Sequence, residues 1–573
     1  MNFIMHPHVL CLGLLLASSN AAAVSSTASS TAASPLGTTL NITVEDLWNL
    51  YIGPVETASI NTTVEPTPIP SAELIPPPPL YYPSYLPGAQ IPGLGRNESW
   101  SFPKGFWWGV SSASYQVEGA VKADGRGPSL WDAFTHRAMS VADNQTGDVA
   151  INQYYMYKQD IQRIAAMGVP AYSFSVSWSR IFPFGNGPIN EAGLQYYDDV
   201  INTCLEYGVK PQVTLYHWDL PLYLQLSYGG WTSEKIVDDF VAYAKVLLER
   251  WGDKVWQWYT FNEPHSFCGE YPVPDGYFPR TTSIPDVQQP YWCGHYMLIA
   301  AGKTYQLARS MNITAPISIK NNGGYKLPRT ASPEDAEAVE RAWAFNEGWF
   351  ADPLFLGDYP SRLKNFTSSF LPEFTTEERD MIKGASDYFA HDAYTAAYYM
   401  APDAGIEGCL SDPSNSLYPE CYNSSYTLSE SEGGWLVGPA SDPNTRWLHK
   451  ATEWLPQFLH YIQDTWKPEN GIAITEFGFS EPFEAYKTLR EDILTDPLRT
   501  LYYHDYVQAM LMAVAEGVKL VGCSAWSIAD NIEWTAGFTV KFGLQYVNLT
   551  TQERFYKASF FELANLFRTY IKE

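Results

Sequence analysis

Two glutamates stand in matching settings, Glu263 in Thr260-Phe261-Asn262-Glu263-Pro264 and Glu476 in Ile474-Thr475-Glu476-Phe477-Gly478. Each closes a short β-prone run, Val255–Phe261 or Gly471–Thr475, and a residue that turns the chain follows closely. A carboxylate so placed belongs at the C-terminal mouth of a barrel strand. Either one alone reads more simply as a salt-bridged rim residue. As a pair on separate strand ends of one barrel, they meet the requirement of double-displacement glycoside hydrolysis, with one acid/base and one nucleophile.

Such a pair needs a scaffold that brings distant segments to one rim. The chain supplies eight β-prone runs, Phe106–Val110, Ala171–Trp178, Pro211–Trp218, Val255–Asn262, Pro316–Asn322, Asp387–Tyr394, Gly471–Thr475 and Leu520–Trp526. Helical patterns fall between them, including Tyr154–Met167, Glu191–Glu206, Ser233–Arg250, His295–Ser310, Leu448–Thr465 and Thr500–Glu516. Alternation in that number predicts an α/β fold, a closed (β/α)8 TIM barrel with long βα loops behind a Pro/Ser/Thr-rich N-terminal arm. Strand one leads to Gln116, strand three to His217-Trp218 and strand four to Asn262-Glu263. Strand six leads to Tyr394, strand seven to Glu476, and strand eight to Trp526 with Glu533-Trp534 beyond. Amides, an imidazole, carboxylates and indoles at one mouth suit a hexose, whose hydroxyls need polar partners and whose C–H face needs an aromatic floor.

The bulk of the chain agrees with this. Its 573 residues include 20 Trp, 39 Tyr and 28 Phe, and the formal charge of −26 argues against nucleic acid and anionic membranes and for an uncharged substrate. Val9–Ala17 followed by small residues up to Ala23 reads as a signal peptide over residues 1–23, although its first residues carry no Lys or Arg. Residues 24–100 form the low-complexity arm, in which Val44–Tyr51 is apolar enough to dock on the main domain, residues 101–573. No later run is long enough to span a membrane. Sequons at Asn41, Asn61, Asn97, Asn144, Asn312, Asn365, Asn423 and Asn548 agree with secretion. In an oxidising compartment, Cys268–Cys293 and Cys409–Cys421 are the expected disulfides, with Cys204 and Cys523 as buried thiols. No Cys/His spacing resembles a metal site.

Six stretches, Phe102–Ala120, Leu215–Pro221, Thr260–Pro264, Gly348–Pro360, Ile474–Gly478 and Trp526–Trp534, resemble glycoside hydrolase family 1, the β-glucosidases and their relatives, over about Ser101 to Tyr570. The arm on this barrel resembles secreted fungal members. The resemblance implies Glu263 as acid/base, Glu476 as nucleophile and Tyr394 as the hydroxyl that steadies it. It further implies that Gln116, His217, Asn262, Glu533 and Trp534 hold the sugar, with Trp526 as stacking floor and Phe542 as a wall. A retaining β-glucosidase follows, acting on a β-glucoside or β-linked oligosaccharide with no metal or cofactor. The expected location is extracellular, with cell-wall attachment and oligomeric state left open.

Three positions depart from the family pattern. Ser173 stands where members usually have Arg, Asp392 where they have Asn, and Phe477 where an Asn follows the nucleophile. The first two changes remove a cation and add an anion near Glu476, and both raise its pKa. Lys320, two residues before Asn322 and on the same inward face, could replace the missing cation or simply neutralise Asp392. The alternative from another class is a carbohydrate-binding or weakly active protein on this barrel; a wall protein displayed through the arm is a third.

Overall fold

The computed structural model describes residues 42–58, 64–78, 99–269, 271 and 282–572. The signal segment, the Pro-rich stretch after Pro78 and the sequons at Asn41, Asn61 and Asn97 lie outside the described residues.

Eight strands close a parallel barrel: β1 (Trp107–Ser111), β2 (Ala171–Ser175), β3 (Lys210–Tyr216), β4 (Gln257–Asn262), β5 (Ile317–Asn322), β6 (Phe389–Asp392), β7 (Ile472–Phe477) and β8 (Leu520–Trp526). Neighbours in sequence are neighbours in space, and β1 pairs β8 to close the ring. Nearly every strand residue is buried, as in sheets covered by helices outside and filled inside. The barrel interior below the rim is a polar and aromatic plug. Tyr388 OH lies within hydrogen-bonding distance of Tyr259 OH (2.9 Å) and Gln257 Oε1 (3.0 Å), while Gln212 Nε2 donates to Gln257 Oε1 (3.0 Å). These bonds satisfy polar groups that burial would otherwise penalise.

The helices form because their apolar residues recur at helical spacing. Lys235–Trp251 buries Ile236, Phe240, Tyr243, Leu247 and Trp251 on one stripe against the barrel, and Tyr243 OH donates to Leu215 O at 2.9 Å.

Several boundaries differ from expectation; the helix expected from His295 begins at Gln289, and β3 ends at Tyr216. β2 stops at Ser175 because Trp178–Ile181 turns into a helix. β6 ends at Asp392, two residues before Tyr394, whereas β7 continues through Glu476 to Phe477. The helix expected from Leu448 begins at Leu455, where Pro456 supplies a first turn whose missing N–H costs nothing. Leu448 instead belongs to a loop in which Ala440 bridges His449.

Two additions complete the frame. The helix Val44–Tyr51 docks as its apolar residues suggest: Leu47 and Trp48 are each 1% exposed, and Trp48 Nε1 donates to Arg126 O at 2.9 Å. Beyond β5 and β6, Tyr325–Pro328, Ala396–Met400 and Asn423–Ser425 make a small sheet on the rim. The disulfides are Cys268–Cys293 and Cys409–Cys421, and Cys204 and Cys523 are buried thiols, as expected. Among the described residues, no helix is long and apolar enough to cross a membrane.

Candidate active site

The two glutamate-bearing strands are both irregular near their ends. β4 slips against β5 between Tyr259 and Asn262, and β7 slips against β6 between Ile474 and Glu476. Irregularities of this kind re-aim the side chains around them. Glu263 itself adopts a left-handed backbone (φ 47°), its N–H donates to Lys320 O at 2.9 Å, and Pro264 then opens a short helix. Trp218 (φ 71°) and Trp534 (φ 45°) share that conformation. Bulky residues rarely sit there, and such positions concentrate at functional sites.

The strand ends converge on an acid cluster. One oxygen each of Glu263, Asp392 and Glu476 lie within 4.8 Å of one another. Glu476 is held by two donors, Tyr394 OH to Oε2 (3.0 Å) and Lys320 Nζ to Oε1 (3.3 Å). Glu263 Oε2 accepts from Ser266 Oγ (2.8 Å), which in turn accepts from Asn322 Nδ2 (2.9 Å). Asp392 Oδ1 accepts from Thr475 Oγ1 (2.6 Å), while its buried Oδ2 has no partner among the described residues. Three such oxygens could ligate a divalent ion, yet the Lys320 ammonium already supplies countercharge in contact with Glu476.

Burial and mutual repulsion set the charges. Glu263 is pushed up to about 8, first by burial and then by the Glu476 charge, with Ser266 and Lys320 opposing. Glu533 is pushed up to about 8 by the same two causes. Burial leaves Glu476 above its usual value as well, with Lys320 and Tyr394 opposing the rise. Asp392 is driven well above the carboxylate range by burial and then by Glu476. Burial, followed by Lys320, holds the His217 imidazole well below its usual value and therefore neutral.

Above the cluster lies a cavity of about 400 Å³, lined by His217, Asn262, Glu263, Tyr394, Glu476, Trp526, Glu533, Trp534 and Phe542 among others. Nine of the ten expected site residues thus meet around one hollow. Gln116 lies beside it, its Nε2 donating to Ile532 O (2.8 Å) and Asn531 Oδ1 (3.1 Å) in the segment leading to Glu533. Gln116 Oε1, His217 Nδ1 and Asn262 Oδ1 are buried polar atoms without partners among the described residues, the kind of group a ligand hydroxyl satisfies. Asn262 is fixed by His217 Nε2 (3.3 Å) and by Trp218 Nε1, which donates to Asn262 O (3.0 Å). Trp526 lies parallel to His217 (6.0 Å), and Trp534 packs on Trp218 (4.4 Å) and Trp131 (4.5 Å).

Of the departing positions, Ser173 faces the barrel interior with an unpaired buried Oγ. Phe477 points away, stacking on Tyr506 at 4.6 Å. Ser266 and Asn322 were not legible in the sequence as partners of Glu263; the only signal was Ser266 lying one helical turn beyond it. The outer wall, Tyr399, Tyr426 and Trp447, was also missed, because it comes from the rim sheet and its loops.

The sequence model of Glycosyl hydrolase family 1 matches residues 98–570. The chain belongs to glycosyl hydrolase family 1. It is 36% identical to Beta-glucosidase 11 of Oryza sativa subsp. japonica over 477 residues, covering 80% of this chain and 87% of that protein. It is 37% identical to Beta-glucosidase 1B of Phanerodontia chrysosporium over 486 residues, covering 82% and 86%. Among solved structures, a β-glucosidase from the fungus Humicola insolens in complex with glucose superposes with a TM-score of 0.76 at 34% identity, covering 83% of this chain and all of that one. Family 1 membership makes a glycoside the substrate class.

Proposed function

We propose that this family 1 protein is a retaining β-glucosidase that removes terminal non-reducing β-D-glucosyl residues. The observation carrying the reading is the contrast between two carboxylates whose oxygens lie within 4.8 Å: Glu476, held by a cation and a phenol, and Glu263, held by one neutral hydroxyl and pushed up to about 8. Oxygens that approach within 4.8 Å are compatible with the roughly 5–5.5 Å carboxyl separation of retaining enzymes.

In the first step Glu476 attacks the anomeric carbon as the glycosidic bond breaks, and Glu263 gives its proton to the departing oxygen. The esterified Glu476 no longer repels charge, so the Glu263 pKa falls and it becomes a base. Water, deprotonated by Glu263, then attacks the anomeric carbon and releases Glu476. Neutral His217, Asn262 and Glu533 bind hydroxyls, Gln116 supports the Glu533 segment, Trp526 and Trp534 provide the aromatic faces, and Phe542 closes one side. The aromatic outer wall of Tyr399, Tyr426 and Trp447 suits a flat, weakly polar leaving group. Two disulfides and the sequons at Asn144, Asn312, Asn365, Asn423 and Asn548 support an exported protein.

A second reading, a sugar-binding protein with little turnover, draws on Ser173 and Asp392. Release of nitrophenol from an aryl β-glucoside separates the two. Hydrolysis is expected for the unaltered protein, with a loss on the order of 10³-fold or more in Glu476→Gln. Equally vanishing rates in both would favour the binding protein.

A further inference from the structure

Charged groups from five segments gather at the pocket floor or just beneath it: Glu263 past β4, Lys320 on β5, Asp392 on β6, Glu476 on β7 and Glu533 past β8. Among the described residues, no Lys or Arg lines the cavity. Lys320 lies just beneath them, 1% exposed, with Nζ 3.3 Å from Glu476 Oε1 and 5.0 Å from the centre of the Tyr259 ring. Its register neighbours, Asn262 on β4 and Ala390 on β6, set it between the two strands that lead to Glu263 and Asp392.

The three clustered carboxylates, Glu263, Asp392 and Glu476, cannot all ionise against one ammonium, because uncompensated charge in such a space is expensive. The contacts say which one does. Glu476 has a cation and a phenol as donors, Glu263 a single hydroxyl, and Asp392 a single hydroxyl on Oδ1 with nothing on Oδ2. The other groups facing Lys320 and Glu476 add no countercharge: the His217 imidazole is held neutral, and burial raises the phenols of Tyr259 and Tyr394.

We propose that Lys320 is the positioning cation that keeps Glu476 ionised and aimed, and that Asp392 works beside it as a protonated, uncharged acid. This rests on the reading of Glu476 as nucleophile. The arrangement serves both halves of the reaction: when Glu476 becomes an ester and Glu263 an anion, the negative charge passes from one neighbour of Lys320 to another, and Lys320 also lowers Glu263. The strand-two position, Ser173, has no part in it.

The test is the pH dependence of kcat/KM on an aryl β-glucoside for the unaltered protein and for Lys320→Met, Lys320→Arg and Asp392→Asn, with Glu476→Gln as control. Activity requires ionised Glu476, so the acid limb follows its pKa. Losing the ammonium raises that pKa, and Lys320→Met should move the acid limb up by about one pH unit or more and cut kcat at least about tenfold. Lys320→Arg should restore the limb to within about half a unit, since it keeps the charge. Asp392→Asn should leave the acid limb in place, because a group that is already neutral has no charge to lose. An unmoved acid limb in Lys320→Met, or equal damage in the Arg and Met variants, would overturn the role of Lys320. A fall of about one unit in Asp392→Asn would show Asp392 to be an anion and overturn its role. Full activity in Glu476→Gln would instead remove the underlying reading.

Discussion

In the proposed mechanism, identical side chains take opposite tasks because of their immediate neighbours. Glu263 meets Ser266 Oγ and little else that favours a charge, whereas Glu476 meets Lys320 and Tyr394. With Glu263 near 8, the base-side fall of kcat/KM should lie at about pH 8, where the acid loses its proton in the free protein. The Ser266 hydroxyl lowers Glu263, so Ser266→Ala should raise its pKa and shift that fall to higher pH by about half a unit, read from the same profile. A shift to lower pH would contradict the assignment. Both glutamates were legible in the sequence because each closes a β-prone run before a turn. Ser266 and Asn322 were not, because their bond joins segments whose proximity only the closed barrel creates. Lys320 was legible as an inward residue through strand alternation, but whether it served Glu476 or Asp392 was not. Its side-chain hydrogen bond goes to Glu476.

The eight strands and their order were readable from periodicity alone; their ends were not. β7 runs on through Glu476 because Phe477 is anchored on Tyr506 of the helix Pro497–Ala515, a packing contact that composition does not reveal. β7 and β8 also approach closely where Gly478 passes Trp526. A Cβ at Gly478 would lie 2.1 Å from the Trp526 carbonyl oxygen, a backbone atom that cannot move aside alone. Gly478→Ala should therefore destabilise the protein by about 1–3 kcal/mol and disturb the Trp526 floor, lowering Tm and raising KM together. An unchanged Tm would mean that the two strand ends tolerate separation. The outer wall was illegible for a related reason: Tyr399 lies on a rim strand that pairs with Tyr325–Pro328 and Asn423–Ser425, three segments separated by helices and a disulfide loop.

The whole molecule extends the barrel with a docked N-terminal helix, visible in sequence only as an apolar patch within a low-complexity arm. Trp48 lies against Arg126, which pairs with Asp132 (2.9 Å) on the helix Leu130–Thr135 that carries Trp131 to Trp534. Trp48→Ala should cost about 3–5 kcal/mol, measured as a fall in Tm. A loss below about 0.5 kcal/mol would mean that the helix is not part of the folded unit. The buried acids also tie stability to pH. Glu263 and Glu533 sit near 8 in the folded protein but near 4.5 when unfolded, so between those values the folded state binds more protons and stability falls as pH rises. Calorimetry should give a lower Tm at about pH 8.5 than at about pH 5.5, and Glu533→Gln should flatten that slope. The measurement that tests the central claim most directly is peptide mass spectrometry after incubation with a 2-deoxy-2-fluoro-β-glucosyl fluoride, which slows release of a glycosyl-enzyme. A single glycosyl adduct on the peptide carrying Glu476 is the expected result; an adduct on Glu263 or Asp392, or hydrolysis without any adduct, would contradict the account.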